Sequence, residues 1–254
     1  MIINTFDNKS EAKINPNLKE GRFKCDACVI TFSYIIEQEI VKEYNCEKIG
    51  EIKFVTGITP IYKLNYNGKT FAFFKTFVGA PAATAAIEDT LSEINTNKYI
   101  MFGGSGCLNK EISHGKIMIP TEAYRDEGTS YHYMEASDYV EMKNYKIVEK
   151  FMKEKNIPYV LGKTWTTDSF YRETVNNFEK HKADGCISVE MECAGVQAMC
   201  SFRDIELYYF LKSGDLLDSP EWDRRRPENT LNGTQHDVRY FDIALELADY
   251  ITKE

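Results

Sequence analysis

The sequence predicts a single α/β domain in which helices flank a central mixed β-sheet. First, 254 residues with 43% apolar side chains suffice for one large domain with one core. Second, short β-branched or aromatic runs alternate with helical patterns, which is typical of a sheet covered by helices. Third, the chain contains no internal repeat and no linker rich in Pro or Gly, so we predict one domain over residues 1–254.

The predicted strands are short apolar runs bounded by turn residues. In chain order they are Ala27–Thr31, Thr70–Val78, Tyr99–Phe102, Lys116–Ile119, Tyr159–Thr164 and Glu206–Lys212. Five segments are predicted as helices: Tyr34–Tyr44, Ala82–Ile94, Asn144–Lys155, Val189–Phe202 and Arg239–Thr252. Ligands of such folds bind beyond the carboxyl ends of strands, so we expect functional residues to follow strands directly.

Charge and composition narrow the class of partner. The chain carries 39 acidic and 31 basic residues, for a net charge of -8. A surface of this charge repels phosphate backbones and anionic lipid, so we expect neither nucleic acid nor a membrane as partner. No run approaches the ~18 apolar residues of a transmembrane helix. The polar N-terminus also lacks the apolar core of a signal peptide, so we expect a cytoplasmic protein.

The seven cysteines are scattered through the chain. Their odd number suits a reducing compartment better than a disulfide framework. Cys25 and Cys28 have a C-x-x-C spacing, but no second pair and no histidine cluster accompanies them. Because Cys28 opens an apolar run, we interpret the pair as core residues, with redox or metal chemistry as the alternative. We expect no metal site and no cofactor.

Two segments that follow predicted strands carry candidate chemistry. Gly103, Gly104, Ser105 and Gly106 come directly after the strand Tyr99–Phe102. Glycines there let the backbone approach a ligand and offer N–H groups, although a tight turn would need similar residues. Asp215 follows the strand Glu206–Lys212 and is well placed to act as a general acid, although Asp is also a common loop residue.

A third segment places two carboxylates around a methionine at the start of an apolar predicted helix. The residues are Glu190, Met191 and Glu192. A carboxylate here could bind vicinal hydroxyls of a sugar while the thioether packs on the apolar face of the sugar. The alternative is structural, because the helix dipole favours acidic residues in a first turn.

Four ordered motifs together resemble the nucleoside phosphorylase superfamily, which includes uridine phosphorylase, hexameric purine nucleoside phosphorylases and methylthioadenosine nucleosidase. Their order and spacing match the family over residues 70–218, with fainter similarity beyond. The motifs are FGGSGCLNKEISHGKIMIPTEAYRDEGTSYHY (102–133), TWTTDSFYRET (164–174), SVEMECAGVQAM (188–199) and LKSGDLLD (211–218).

The resemblance implies a sugar site. Glu192 would bind the ribose 2′- and 3′-hydroxyls, and Met191 would pack against the sugar. Glu190 would belong to the same substrate site. Gly104 and Ser105 would lie near the sugar and the attacking nucleophile.

The resemblance also implies a base site, in which Phe170 would stack on the base or contact its edge. Asp215 would protonate or hydrogen-bond the departing base, with Asp218 as the next candidate acid. Asp215 indicates a purine, whereas the segment Thr167–Tyr171 also resembles uridine phosphorylases, so purine and pyrimidine both remain open.

The chain departs from the family at the phosphate site. Family members use a G-D-P-x-R loop and further arginines, but this chain has Thr31–Ile36 at the loop and Met101 and Gly57 at two of the arginines. A buried anion without cationic partners costs several kcal/mol, so other basic residues must substitute or phosphate is not the nucleophile. The candidate substitutes are Lys24, Lys75, Arg125, Arg172 and the run Arg224-Arg225-Arg226, for which a solvated loop is the alternative.

The family's N-terminal histidine, which a neighbouring subunit places at the ribose 5′-hydroxyl, is also missing. The first histidine of this chain is His114, and His132 is a candidate substitute for the contact.

Three functions share these motifs. We favour a nucleoside phosphorylase, in which phosphate as co-substrate attacks C1′ of a nucleoside and releases the base and ribose 1-phosphate. The first alternative is a nucleosidase that uses water, with Glu37 or Glu39 as the general base. The second is a non-catalytic nucleoside-binding or storage protein, which would not need Glu192, Asp215 and the glycine turn. The family also implies a homodimer or a trimer of dimers, with residues 159–174 near an interface.

Overall fold

A computed structural model describes residues 1–113, 115–224 and 233–253. Its strands are β1 (Phe23–Lys24), β2 (Ala27–Thr31), β3 (Glu47–Phe54), β4 (Gly57–Tyr66), β5 (Lys69–Lys75), β6 (Ile94–Asn95), β7 (Lys98–Cys107), β8 (Ile117–Asp126), β9 (Tyr139–Glu141), β10 (Tyr159–Thr167), β11 (Cys186–Glu190) and β12 (Glu206–Leu216). Its helices are α1 (Tyr34–Glu43), α2 (Ala80–Thr90), α3 (Lys110–Ser113), α4 (Tyr145–Glu154), α5 (Val175–Ala183), α6 (Cys193–Phe202) and α7 (Gly233–Ile251).

The main sheet is mixed, and its strands lie in the order β11-β10-β8-β12-β7-β2-β5-β4-β3, with β9 paired to β8. β2 pairs in parallel with both β5 and β7, and β12 pairs in parallel with β7. β11 pairs with β10 and also, antiparallel, with β7 through Ser188↔Cys107 and Val189↔Gly106. This last pairing closes β7, β12, β8, β10 and β11 into a ring, at one end of which the candidate site lies.

Helices cover both faces of the sheet, as predicted. Alternate residues of β2 enter different core clusters because strand side chains alternate between faces. Cys28 and Ile30 join the cluster that contains residues of α2 and α6. Ala27 and Val29 join the cluster that contains residues of α1, α4 and α7. The predicted α/β fold with a central mixed sheet flanked by helices is confirmed.

Small residues let two helices approach closely beside the sheet. Ala83 and Ala86 of α2 are fully buried, as expected for a helix that lies close on a sheet. A Cβ atom added at Gly195 of α6 would lie 2.8 Å from the Cβ of Ala80 in α2. Gly79 is the N-cap residue of α2, and its φ of +98° favours glycine. No described helix has the length and apolarity needed to cross a membrane.

Two strands extend beyond their predicted ends. β7 continues through the glycine segment to Cys107, and β12 continues through Asp215 to Leu216. The two extensions pair with each other through Ser213↔Ser105 and Leu216↔Cys107, so backbone pairing replaces the predicted loops. Glycine is required at the contact, because a Cβ at Gly214 would lie 2.8 Å from the carbonyl oxygen of Ser105.

The helix predicted over Val189–Phe202 is wrong at its start. Val189 and Glu190 end the buried strand β11, and α6 begins only at Cys193. The short run Cys186–Glu190 is buried on both faces and therefore shows no alternation of polar and apolar residues. The two carboxylates thus lie at a strand-to-helix junction rather than in a first helical turn.

Further elements were not predicted. β3 and β4 form an antiparallel hairpin whose strands are only partly buried. The turn between β4 and β5 contains Asn67 and Gly68, both with positive φ, a pairing typical of two-residue hairpins that could have identified β4. α5 was missed because its polar sequence buries only His181.

Candidate functional site

A cavity of about 880 Å³ opens where β7, β11 and β12 end. Its volume lies within the range of small-molecule sites, roughly 300–1,000 Å³. All seven predicted site residues line it: Gly104, Ser105, Phe170, Glu190, Met191, Glu192 and Asp215. The fold therefore brings together residues from all four predicted motifs, while the role of each residue stays a prediction.

Glu192 lies at the N-cap of α6, and its carboxylate faces two backbone N–H groups. The N–H of Gly79 donates to Oε1 at 2.6 Å, and the N–H of Met191 donates to Oε2 at 3.3 Å. Glu192 is only 6% exposed, yet it borders the cavity. The first contact ties the carboxylate to the turn that begins α2, so its position is set by two separate elements.

Glu190 is engaged by the protein on both of its oxygens. Oε1 accepts a hydrogen bond of 2.5 Å from the hydroxyl of Thr166. Oε2 accepts hydrogen bonds from the N–H groups of Glu192 at 2.8 Å and Cys193 at 2.6 Å. These bonds satisfy donors at the N-terminus of α6. The hydrogen bonds support a role for Glu190 in positioning the backbone of Glu192.

Burial raises the pKa of both Glu190 and Glu192 above the ordinary range of a carboxyl group. The charge of Glu192 adds to the rise at Glu190. The hydrogen bonds from Thr166 and from the backbone oppose it, because they stabilise the ionised form. The pair therefore disfavours two simultaneous negative charges in the absence of a ligand.

Asp215 borders the same cavity from β12, and Trp222 holds it. The indole Nε1–H of Trp222 donates to Oδ2 of Asp215 at 2.6 Å. Phe170 and Tyr171 lie on the cavity wall with ring centroids 4.1 Å apart. The walls therefore combine exposed aromatic rings with a carboxylate, an arrangement suited to a planar heterocyclic base.

Two cavity residues were missed from the sequence. Glu173 borders the cavity, and burial followed by the charge of Asp215 raises its pKa to about 7. It lies inside the motif 164–174, which was the available signal. Trp222 follows Asp215 by seven positions in an irregular segment, and no local pattern marks it.

The cavity is acidic. Five of its residues carry carboxyl groups: Glu173, Glu179, Glu190, Glu192 and Asp215. Among the described residues that line it, none is Lys, Arg or His. The predicted glutamates Glu37 and Glu39 do not line it either. Glu37 is buried on α1 near Lys75, so the expectation that Glu37 or Glu39 is the general base does not fit their positions.

The candidate phosphate-binding cations lie elsewhere or outside the described residues. Arg125 is buried and donates to Ser130 at 2.8 Å and to the carbonyl of Glu135 at 2.6 Å, so it stabilises a local loop. Lys24, Lys75 and Arg172 do not line the cavity. The guanidinium of Arg224 lies over the ring of Trp222, 4.3 Å from its centroid, and Arg224 does not line the cavity. Arg225 and Arg226 lie outside the described residues.

The structure also shows the surroundings of two other candidates, the acid Asp218 and the histidine His132. Asp218 is paired with Lys182 at 2.8 Å, and that hydrogen bond lowers its pKa, which does not suit an acid. His132 borders a different pocket, beside Pro81 and Tyr133, and His114 lies outside the described residues.

Cys25 and Cys28 pack in the core, with exposures of 7% and 0%. Burial raises the pKa of Cys25 to about 12 and that of Cys28 well above its ordinary value. Since reactive and metal-binding cysteines need the thiolate, these positions support the packing interpretation of the pair.

The comparisons with known proteins agree with this geometry. The chain is 25% identical over 209 residues to a purine nucleoside phosphorylase DeoD-type of Alkaliphilus metalliredigens, covering 81% of this chain and 85% of that protein. Its fold is similar to the crystal structure of purine nucleoside phosphorylase from Toxoplasma gondii in complex with immucillin-H (TM-score 0.72, 18% identity, 96% and 98% of the two chains). It is also similar to that of AMP nucleosidase from Bacteroides thetaiotaomicron (TM-score 0.67, 18% identity, 91% of each chain).

These structural likenesses show the fold alone, but the sequence comparison goes further. Residues 28–229 match the family model for the phosphorylase superfamily. That match spans most of the chain, including β2, the glycine segment, the two-carboxylate junction and Asp215. The chain therefore belongs to the phosphorylase superfamily.

Proposed function

We propose that this protein is an enzyme that cleaves the N-glycosidic bond of a purine nucleoside. One observation carries the proposal: a single cavity of nucleoside size brings a carboxylate that is fixed by two elements, Glu192, together with a second carboxylate among aromatic rings, Asp215. A storage protein would need neither group for turnover.

The sugar is proposed to bind at Glu192. A carboxylate that faces vicinal hydroxyls accepts a charge-assisted hydrogen bond from each. Met191 borders the cavity beside it and can pack on the apolar face of the ribose. Glu190 is proposed to hold this segment in place through its bonds to the N–H groups of Glu192 and Cys193. Gly104 and Ser105 line the cavity from β7, where the nucleophile is proposed to approach.

The base is proposed to lie against Phe170, with Asp215 at the nitrogen that departs. As the bond breaks, the ribosyl group becomes oxocarbenium-like and the base gains negative charge. Carboxyl groups near the base can stabilise that charge through hydrogen bonding or proton transfer. The acidic cavity therefore suits a reaction whose cationic centre develops at C1′ of the sugar.

Phosphate is the nucleophile of the first candidate reaction. The relatives named as purine nucleoside phosphorylases and the superfamily support phosphorolysis to free base and ribose 1-phosphate. In this reaction the phosphate needs cationic partners, which the described lining of the cavity does not supply.

Water is the nucleophile of the second candidate reaction, and the charge of the cavity favours it. The lining carries five carboxyl groups and, within the described ranges, no basic side chain. Such a site repels inorganic phosphate but accepts water readily. In this reaction free ribose is the product.

Product analysis separates the two. A panel of purine and pyrimidine nucleosides is incubated with and without phosphate, and base, ribose and ribose 1-phosphate are quantified. Phosphate-dependent ribose 1-phosphate supports phosphorolysis, and saturation is expected only near or above ~1 mM phosphate because arginines are missing. Ribose at a rate indifferent to phosphate supports hydrolysis. Absence of cleavage on the whole panel contradicts both.

We also propose a homo-oligomer, a dimer or a trimer of dimers, in which a neighbouring subunit contributes to the site. Exposed apolar side chains around the cavity mouth support this, with Val78 64% and Val175 76% exposed. Light scattering at micromolar concentration tests it, and a strict monomer contradicts it.

A further inference from the structure

Glu173 is an acidic residue beside Asp215 that comes from a different part of the fold. It lies between the short 3-10 turn Phe170–Arg172 and α5. Its backbone N–H donates to the carbonyl of Phe170 at 3.2 Å. The next residue, Thr174, caps α5 by accepting from the N–H of Asn177 at 3.4 Å. Hydrogen bonds on both sides therefore fix the backbone from which Glu173 borders the cavity.

The surroundings of Glu173 favour a bound proton. The charged groups that share its cavity are all carboxyl groups: Asp215, Glu179, Glu190 and Glu192. Arg172 precedes it in the chain but is exposed and does not line the cavity. Burial first, and the negative charge of Asp215 second, raise the pKa of Glu173 to about 7. Both protonation states are therefore populated near neutral pH, which suits a group that donates a proton.

Asp215, by contrast, is held as a hydrogen-bond acceptor. The indole N–H of Trp222 lies 2.6 Å from Oδ2. An indole nitrogen only donates, so Oδ2 of Asp215 is the acceptor of this bond. The negative charge of Asp215 favours a proton on the neighbouring carboxyl of Glu173.

We infer that Glu173 holds the proton that the departing purine takes up, and that Asp215 keeps the proton there and orients the base. This inference rests on the proposed function. When the C1′–N bond breaks, its electron pair goes to the purine and the proton of Glu173 moves to a ring nitrogen. Glu173 is left as a carboxylate, and the nucleophile forms the new C1′–O bond. If water is the nucleophile, its proton goes to solvent. With either nucleophile, the half-exposed Glu173 takes a proton from solvent before the next cycle.

The test compares the pH dependence of two substrates that differ in their leaving group. One is a purine riboside, and the other is a riboside with a nitrophenolate leaving group, which departs without protonation. Glu173→Gln should slow the purine riboside by ~10²–10⁴-fold, largely in kcat, and abolish the decline of kcat/KM at alkaline pH. It should change cleavage of the nitrophenyl riboside little.

Two further variants separate Glu173 from its neighbours. Asp215→Asn should retain an alkaline decline for the purine riboside but move it to lower pH, because the charge that raises the pKa of Glu173 is removed. Glu179→Gln, which removes a carboxylate from the exposed rim of the same cavity, should move the decline less than Asp215→Asn does, because Asp215 is the neighbouring charge that raises the pKa of Glu173. Glu190 and Glu192 also have raised pKa values, so the wild-type profile alone does not assign the alkaline decline to Glu173. The comparison between the variants makes that assignment.

Glu173→Asp is the conservative variant, because it keeps an acid at this position. It should retain an alkaline decline at a reduced rate. The inference is overturned if Glu173→Gln keeps the wild-type alkaline decline, or if it slows both leaving groups equally. A wild type that cleaves purine ribosides while Glu173→Gln is fully active overturns this inference alone. A wild type that cleaves no nucleoside overturns the proposed function.

Discussion

The backbone N–H of Gly79 donates a hydrogen bond of 2.6 Å to Oε1 of Glu192, 113 positions further along the chain. Gly79 has a φ of +98° and forms the N-cap of α2, whereas Glu192 forms the N-cap of α6. The N–H of Gly79 meets the carboxylate from a positive-φ conformation, which residues other than glycine disfavour. The contact links the sequence of one turn to the proposed sugar site.

Gly79→Ala should therefore weaken substrate binding as well as stability. The added Cβ meets only Pro81, at 4.0 Å, so the cost comes from the backbone conformation and amounts to about 1–3 kcal/mol. We expect KM for a purine riboside to rise because Glu192 loses its anchor. Gly68→Ala is the matched control, since Gly68 has a φ of +79° in a hairpin away from the cavity. Equal KM values for the two variants would remove the link.

Glu192→Gln should discriminate between sugars. Each hydrogen bond that a ribose hydroxyl donates to a carboxylate contributes about 1.5–3 kcal/mol. A 2′-deoxyriboside lacks one of the two hydroxyls, so the variant should lose kcat/KM on ribosides roughly 10- to 100-fold more than on 2′-deoxyribosides. Thermal unfolding of the variant checks that the loss of activity is not caused by a loss of the fold. Equal losses on both sugars would exclude Glu192 from sugar recognition.

Trp222→Phe should impair the proposed base site and leave the proposed sugar site intact. Phenylalanine keeps an aromatic ring on the cavity wall but cannot donate the hydrogen bond to Oδ2 of Asp215. Since the indole is 51% exposed, we expect a modest loss of about 3- to 10-fold in kcat on purine ribosides. Cleavage of the nitrophenyl riboside should not change. A loss shared by both substrates would show that Trp222 only shapes the wall.

The stability of the protein should fall as the pH rises from about 5 to 8. Burial raises the pKa of Glu190 and Glu192 in the folded state above the ordinary value of 4.5. Between that value and the raised values the folded state binds more protons than the unfolded state, so rising pH destabilises it, by at most about 1.4 kcal/mol per pH unit for each proton.

Urea unfolding at several pH values measures this dependence. Glu192→Gln removes one titrating group and the repulsion with Glu190, so its free energy of unfolding should depend less on pH than that of the wild type. The control is Glu179→Gln, at an exposed position of α5, which should keep the wild-type dependence. A wild type whose stability rises over this range would contradict the prediction.

The sequence by itself determined the fold class, and it predicted seven site residues that the fold brings to one cavity. Strand β2 was predicted with its observed bounds, Ala27–Thr31, because buried parallel strands are short continuous apolar runs. The four ordered motifs identified the superfamily, and all seven predicted residues line one cavity. Three of the four motifs begin in or directly after a predicted strand, whereas the motif with Glu190 and Glu192 begins in β11, which was not predicted.

Only the tertiary structure decided how those residues relate to each other. The glycine segment and Asp215 belong to paired strands rather than loops, because Gly104 and Lys212 are neighbours in the sheet. Glu37 was a reasonable candidate base by sequence, yet it is buried near Lys75 and does not line the cavity. Helical periodicity cannot show which partner a polar residue faces.

The electrostatics of the site were also decided by the fold. Glu173 and Asp215 are 42 positions apart in the sequence, and neither has an unusual neighbour along the chain. They influence each other because β12 and the segment before α5 border the same cavity, where burial weakens the screening by water. The pKa of a carboxyl group depends on desolvation and on charges close in space, so no local sequence pattern could have marked Glu173 as a proton donor.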